Sequence, residues 1–235
     1  MANKEYITDN KLTLEADRQK RFKRKFILFI GGICVIGALR IHFYVALFVL
    51  LVALLFWLTE NGSEIIRSGA YGEDYAIKIL MQLPESFTLF NQVDIPNAQS
   101  RTKVNEADII VVGPNAIFII EVKHNKGEIS GSEKDKEWDV CKGRYEKTMR
   151  NPMSQVKKLV WLLSDYLKKT NTRAWIQGIV WFTNDEAEIS VSQSPSIPVF
   201  QSSQEIVSYI LNYQATERKT NVNNVLKKIA ELKKT

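Results

Sequence analysis

The sequence predicts a mixed α/β fold, with a sheet flanked by helices, preceded by an N-terminal transmembrane helical hairpin. Three observations carry this expectation. Residues 26–58 are almost wholly apolar; residues 108–112 and 116–122 are strand-type runs around a Gly113-Pro114-Asn115 turn; and the remaining elements fall in the order helix, three strands, helix, strand, helix.

With 235 residues and 45% hydrophobic content, the chain can hold one sizeable domain with extensions around a packed core. The net charge of +6 suits a polyanion or an anionic lipid surface, although 26 acidic residues argue against a simple basic tail. Cys34 and Cys141 offer no disulfide framework. With His42 and His124 as the two histidines, neither a zinc cluster nor a cysteine-histidine pair can be assembled, so metal chemistry would use oxygen ligands.

The N-terminal segment, 1–25, ends in a basic cluster at 18–25 that directly precedes the apolar run. A secretory leader is not expected, because the basic region comes late and no small-residue cleavage site follows. One straight helix over 26–58 would reach about 50 Å, against a hydrocarbon core of roughly 30 Å. Two short passes turning at Arg40-Ile41-His42 fit better. The positive cluster then places both ends in the cytoplasm, which predicts a multi-pass protein of the cell membrane whose domain faces the cytoplasm. A single span over 41–58, with 26–39 at the interface, is the other topology.

Apolar residues at Ile65, Ile66, Ala70, Tyr75, Ala76, Ile79 and Leu80 predict a helix over 63–81, with Gly69 and Gly72 allowing close approach or marking its start. Residues 87–93 form a short strand, and 108–112 with 116–122 form a hairpin. "GEISG" and "EWDVC" suggest a small added hairpin. Asn151-Pro152 opens a helix to about Lys169, "IQGIVWF" is a buried-type strand, and an apolar stripe over 222–232 marks a last helix beside Lys227, Lys228, Lys233 and Lys234.

The hairpin carries charges at its outer ends. Burying a carboxylate or an ammonium costs several kcal/mol unless it is paired or metal-bound. Adjacent strands bring Asp108 close to Glu121 and Lys123, and the latter two share a face because they are two residues apart. Two carboxylates can hold a hard divalent cation, and a neighbouring lysine can orient a bound water. A plain Glu-Lys pair at a strand end, with Asp108 as a turn cap, fits the same three residues.

The segments "GAYGEDYAIKIL", "ADIIVV", "IFIIEVKHNKGEISG", "EWDV" and "NPMSQVKKLVWLL", within about 68–169, resemble in order and spacing the PD-(D/E)xK nuclease superfamily. The resemblance is closer to its nuclease-related domain family, NERD. Outside the resemblance, 186–235 reads as a C-terminal loop and basic helices; the resemblance itself implies a restriction-endonuclease-like core over 63–185. It also implies that Asp108 and Glu121 ligate Mg²⁺ or Mn²⁺, that Lys123 assists the nucleophilic water, that Glu73 adds an acidic site residue, and that Gln155 reaches the same site. For Glu73 a solvent-facing helix position, and for Gln155 helix-start packing, are the structural alternatives. Members often carry a polar residue after the aspartate, where this chain has Ile109.

Around this set, Lys126, Arg144 and Lys157 are candidates for nucleic-acid phosphates, within a run that also holds Lys142, Lys147, Arg150 and Lys158. Glu133, Asp135, Glu137 and Glu146 interrupt the run, as in an ordinary solvated face. Trp138 fits base stacking or core packing, and His124 fits a phosphate contact, a proton carrier or plain exposure. The expected activity is metal-dependent hydrolysis of DNA phosphodiester bonds by a membrane-anchored protein, with RNA as a further partner of the same chemistry. A catalytically silent module that binds nucleic acid or protein at the membrane is the alternative, and a structural domain without a nucleic-acid partner is a third.

Overall fold

The computed structural model describes residues 1–38, 47–48, 50–52, 61–172, 174–192, 194, 196–215 and 221–233. Its elements begin with β1 (Asn3–Tyr6), α1 (Lys11–Ala38), α2 (Asn61–Leu80), β2 (Thr88–Pro96), β3 (Val104–Val112) and β4 (Ile117–Lys123). They continue with β5 (Gly127–Gly131), β6 (Glu137–Lys142), β7 (Tyr145–Arg150), α3 (Pro152–Lys169), β8 (Ile176–Phe182), β9 (Ala187–Val191), β10 (Val199–Phe200), α4 (Ser203–Asn212) and α5 (Val222–Lys233). These form two compact units, Met1–Thr8 with Tyr71–Thr235, and Asp9–Ala70.

In the larger unit a mixed six-stranded sheet runs in the order β1-β2-β3-β4-β8-β10. Strands β2, β3 and β4 are antiparallel neighbours, whereas β8 lies parallel to β4 through the α3 crossover. All six residues of β4 before Lys123 are buried, because helices cover both faces of the sheet. Alternate residues serve opposite cores. Ile110, Val112, Ile117, Ile119, Val180 and Phe182 pack with α3 and α5, while Ile109, Val111, Phe118, Ile120, Ile179 and Trp181 pack with α2 and α4. Each fully buried side chain of this size contributes about 1.5–3 kcal/mol. The basic C-terminal helix α5 therefore docks Val225, Ile229 and Leu232 into the core.

A second sheet, β7-β6-β5-β9, grows from the ends of β4 and β8. The expected two-strand addition is thus part of a four-stranded sheet, closed by β7 in sequence and by β9 from the segment after β8. Trp138 lies fully buried there, stacked on Phe182 at a 6.4 Å centroid distance and donating Nε1–H to the Ser132 carbonyl, so it packs and is not open to a base.

The smaller unit contains α1, capped by Asn10, whose Oδ1 accepts from the Leu12 amide at 2.9 Å. Here the structure corrects the membrane expectation. The basic cluster at 18–25 lies inside α1, and among the described residues no helix is long and apolar enough to cross a membrane. The physical reason is length: within the described residues the apolar part of α1 runs from Phe26 to Ala38 and reaches about 20 Å at 1.5 Å per residue. The multi-pass membrane location, with a domain facing the cytoplasm, is therefore not upheld. The Arg40-Ile41-His42 turn and most of the expected second pass lie outside the described residues.

Candidate functional site

The β3–β4 hairpin is closed by the Gly113 amide donating to the Ala116 carbonyl at 2.9 Å. A side chain at Gly113 would overlap the Phe87 ring at 2.3 Å, so the turn needs glycine for close approach. Residue pairing runs from Val112 opposite Ile117 to Ile109 opposite Ile120. At the next step the backbone ladder stops, and the Asp108 carboxylate takes the amide that the ladder leaves over: Oδ2 accepts from the Val122 N–H at 2.8 Å. Glu121, 6% exposed, and Lys123, 21% exposed, project beside it, with Lys123 Nζ donating to Glu121 Oε1 at 2.5 Å.

Helix α2 brings a third carboxylate. A Cβ at Gly72 would lie 2.6 Å from His124 Cβ and 2.9 Å from Thr183 Oγ1, so only glycine lets the helix come this close to the end of β4. The neighbouring Glu73 falls within electrostatic reach of both Asp108 and Lys123. Burial raises the Asp108 pKa well above the usual carboxylate range; Glu121 and Glu73 push it further, while Lys123 and the Val122 amide oppose them. For Lys123, burial alone would lower the pKa, but Glu121, Asp108 and Glu73 together hold it above its ordinary value, so the group stays an ammonium.

Three carboxylates thus face one ammonium. Among the described residues no three carboxylate, imidazole or thiolate groups form a cluster able to hold a metal ion by themselves. The available donor set is the Asp108–Glu121 pair completed by solvent, which suits Mg²⁺, a cation that keeps several waters and takes one or two carboxylates. The surplus negative charge around buried Asp108 is the feature such a cation would relieve.

Gln92 had no signal in the sequence. It sits in the middle of β2 with φ of +48°, buried, at the step where pairing passes from Asn91–Ile109 to Val93–Ala107. That places it opposite Asp108 of β3, and its Nε2–H donates to Glu73 Oε2 at 3.1 Å. A left-handed glutamine costs about 1–2 kcal/mol, and the kink turns its amide toward Glu73.

The other expected residues are placed less centrally. Gln155 is half-buried in the first turn of α3 and makes no hydrogen bond to Asp108, Glu121 or Lys123. The cap of that helix is Asn151, whose Oδ1 accepts from the Met153 and Ser154 amides while its Nδ2 donates to the Ser132, Glu133 and Asp135 carbonyls. His124 is half-buried, 3.0 Å from Thr183 Oγ1 through Nδ1, with burial lowering its pKa against the pull of Asp185. Lys126 is exposed and pairs with Glu186 at 3.5 Å, and Arg144 is exposed in the β6–β7 turn. Lys157 is paired with Glu133, beyond the other end of β5 from Lys126, so the three do not form one contiguous set.

Residues 68–183 match the family model of NERD, the nuclease-related domain. An uncharacterized protein of Bacillus anthracis is 29% identical over 104 residues, covering 42% of this chain and 48% of the relative, so the chain matches about half the length of that curated relative. No solved structure matches.

Proposed function

We propose, from the premise that residues 68–183 are a nuclease-related domain, that this chain is a divalent-cation-dependent nuclease hydrolysing phosphodiester bonds of DNA on a restriction-endonuclease-like core. The observation that carries the reading is the convergence of Glu73, Asp108, Glu121 and Lys123 at one end of the β3–β4 hairpin. Asp108 and Glu121 would hold Mg²⁺ or Mn²⁺, which supplies Lewis-acid stabilisation of the charge growing on the phosphate. Lys123, kept protonated by its neighbours, acts as a hydrogen-bond donor that orients the attacking water instead of serving as its base. Gln92 holds Glu73 toward the same space, where it can accept a proton or a water hydrogen bond. The P–O ester bond breaks as the water oxygen attaches to phosphorus; the water gives up its proton to Glu73 or to solvent, and the leaving oxygen takes a proton from solvent.

A second reading, a silent module that binds nucleic acid or protein, is favoured by the close Lys123–Glu121 pair, which occupies both groups with each other. The two separate in one experiment. The full chain is incubated with plasmid and linear DNA in Mg²⁺, Mn²⁺ or chelator, beside Asp108→Asn and Lys123→Ala. Metal-dependent cleavage falling at least about 100-fold in both variants is the expected result, the scale of losing a charge-stabilising group. Salt-sensitive binding without cleavage in any metal would move the assignment to the silent module.

A further inference from the structure

The four-stranded sheet separates its charges by face. Register pairs Cys141 with Glu128 and Glu146, and Asp139 with Ser130 and Thr148, so the outer face carries Glu128, Asp139 and Glu146 around the thiol. The Cys141 pKa is accordingly raised, by burial first and then by those three carboxylates. On the opposite face lie Trp138 and Val140, both fully buried, and next along the same face come Lys142 with its partner Tyr145, and Lys147 opposite Val140. That inner face therefore begins as core and runs out of cover toward the hairpin tip, where Tyr145 is 64% exposed.

The tip adjoins the site described above. Strand β5 starts four residues after Lys123, and a Cβ at its first residue, Gly127 (φ +95°), would lie 2.9 Å from Lys142 Cγ. Lys126 is thus about 10 Å or less along the chain from Lys123. Burial lowers the Lys142 pKa first, and the nearness of Lys147 and Lys126 lowers it further against the pull of Glu186, so three ammonium groups crowd one place beside that single carboxylate, which pairs with Lys126. Crowded cations beside an exposed aromatic ring, on the side away from the outer-face carboxylates, match a strand of phosphates carrying unpaired bases.

We infer that the inner side of the β6–β7 tip seats an unpaired nucleic-acid strand next to the hydrolytic site, with phosphates on Lys126, Lys142 and Lys147 and a base stacked on Tyr145. This rests on the nuclease reading and specifies its substrate: a single-stranded segment flanking the scissile phosphate. The shared chemistry is an unpaired sugar-phosphate strand, deoxy or ribo.

The test is fluorescence anisotropy of the full chain with labelled oligothymidylate, oligouridylate and a DNA duplex in chelator, so that cleavage plays no part. Tyr145→Ala should weaken single-strand binding by about 10-fold, and Tyr145→Phe should restore it. Lys142→Gln with Lys147→Gln should flatten the salt dependence by about 1.4 in log–log slope, about 0.7 per lost phosphate contact. Glu146→Gln, on the outer face, should leave affinity unreduced. A preference for one of the two oligonucleotides assigns the sugar. The inference is overturned if duplex binds as tightly as single strands and Tyr145→Ala is silent, if the lysine variants bind like the parent, or if the lysines serve vesicles of anionic phospholipid and no oligonucleotide binds. Cleavage by the parent, measured separately in Mg²⁺, distinguishes the two readings. If the parent binds in this pattern but never cleaves, the hydrolytic reading falls and the strand seat stands; cleavage without this pattern removes the seat alone.

Discussion

The two sheets solve the placement of charge in different ways. In the six-stranded sheet β4 is buried on both faces, so charge is admitted only where the strand ends, and there it must be answered by other charges. The four-stranded sheet is covered on one face, so charge can sit along the strands and sort by side. In a two-sided sheet charges are driven to meet at one point, which builds a site; in a one-sided sheet they spread into a surface, which builds an interface.

The sharpest way to break this comparison is in the buried strand. Phe118, fully buried and set edge-on to Tyr213 at 5.4 Å, should cost about 3–5 kcal/mol on replacement by alanine. Denaturant unfolding at fixed pH measures the loss. A value below about 1 kcal/mol would mean that the interior of the large sheet is as forgiving as a one-sided sheet.

Next in size is Lys123→Ala, which leaves Glu121, Asp108 and Glu73 without the ammonium they share. Removing one partner of a buried pair costs about 3–5 kcal/mol, and the partial exposure of Lys123 reduces this to about 2–3 kcal/mol. Lys123→Met tests the same loss with the stem volume kept. If both variants unfold like the parent, the charges at the strand end are solvated individually and do not form one electrostatic unit.

What the sequence made legible follows the range of the signal. The β3–β4 hairpin announced itself because two apolar runs and Gly113-Pro114-Asn115 are local, and α3 did so through Asn151-Pro152, whose cap hydrogen bonds reach two and three residues ahead. Asp108, Glu121, Lys123 and Glu73 were reachable by pattern and resemblance; their mutual approach depends on Gly72 meeting His124, which pattern only hinted at. Strand β1 gave no such signal. Asn3 and Tyr6 join the sheet by pairing with Thr88 and Phe90, more than 80 positions away, and a four-residue polar strand has no periodicity of its own. Gln92 was hidden for a related reason, since its left-handed backbone is imposed by the neighbouring strand and not by its residue type. The N-terminal error came from reading the apolar run apart from the charged residues before it, although α1 joins the basic cluster to the first part of that run, 26–38.

The smallest expected effect has the opposite sign, which makes it the most discriminating. Asp108 is a carboxylate whose pKa in the folded chain lies well above the ordinary 3.8, through burial and then Glu121, so the folded state binds its proton more tightly than the unfolded state does. Below 3.8 both states are protonated and the group is neutral in its effect; as pH rises through the folded value, ionisation costs the folded state stability. Asp108→Asn keeps an oxygen for the Val122 amide and removes this cost. At neutral pH without divalent cation the variant should therefore be more stable than the parent by about 1 kcal/mol, within the range for relieving a strained functional site. The gain should vanish in acid. Adding Mg²⁺ should raise the melting temperature of the parent and not of the variant, because the ion then answers the charge that the substitution has already removed. A destabilised Asp108→Asn, with no Mg²⁺ effect on the parent, would mean that Lys123 alone balances the strand end and that the meeting of charges there is structural.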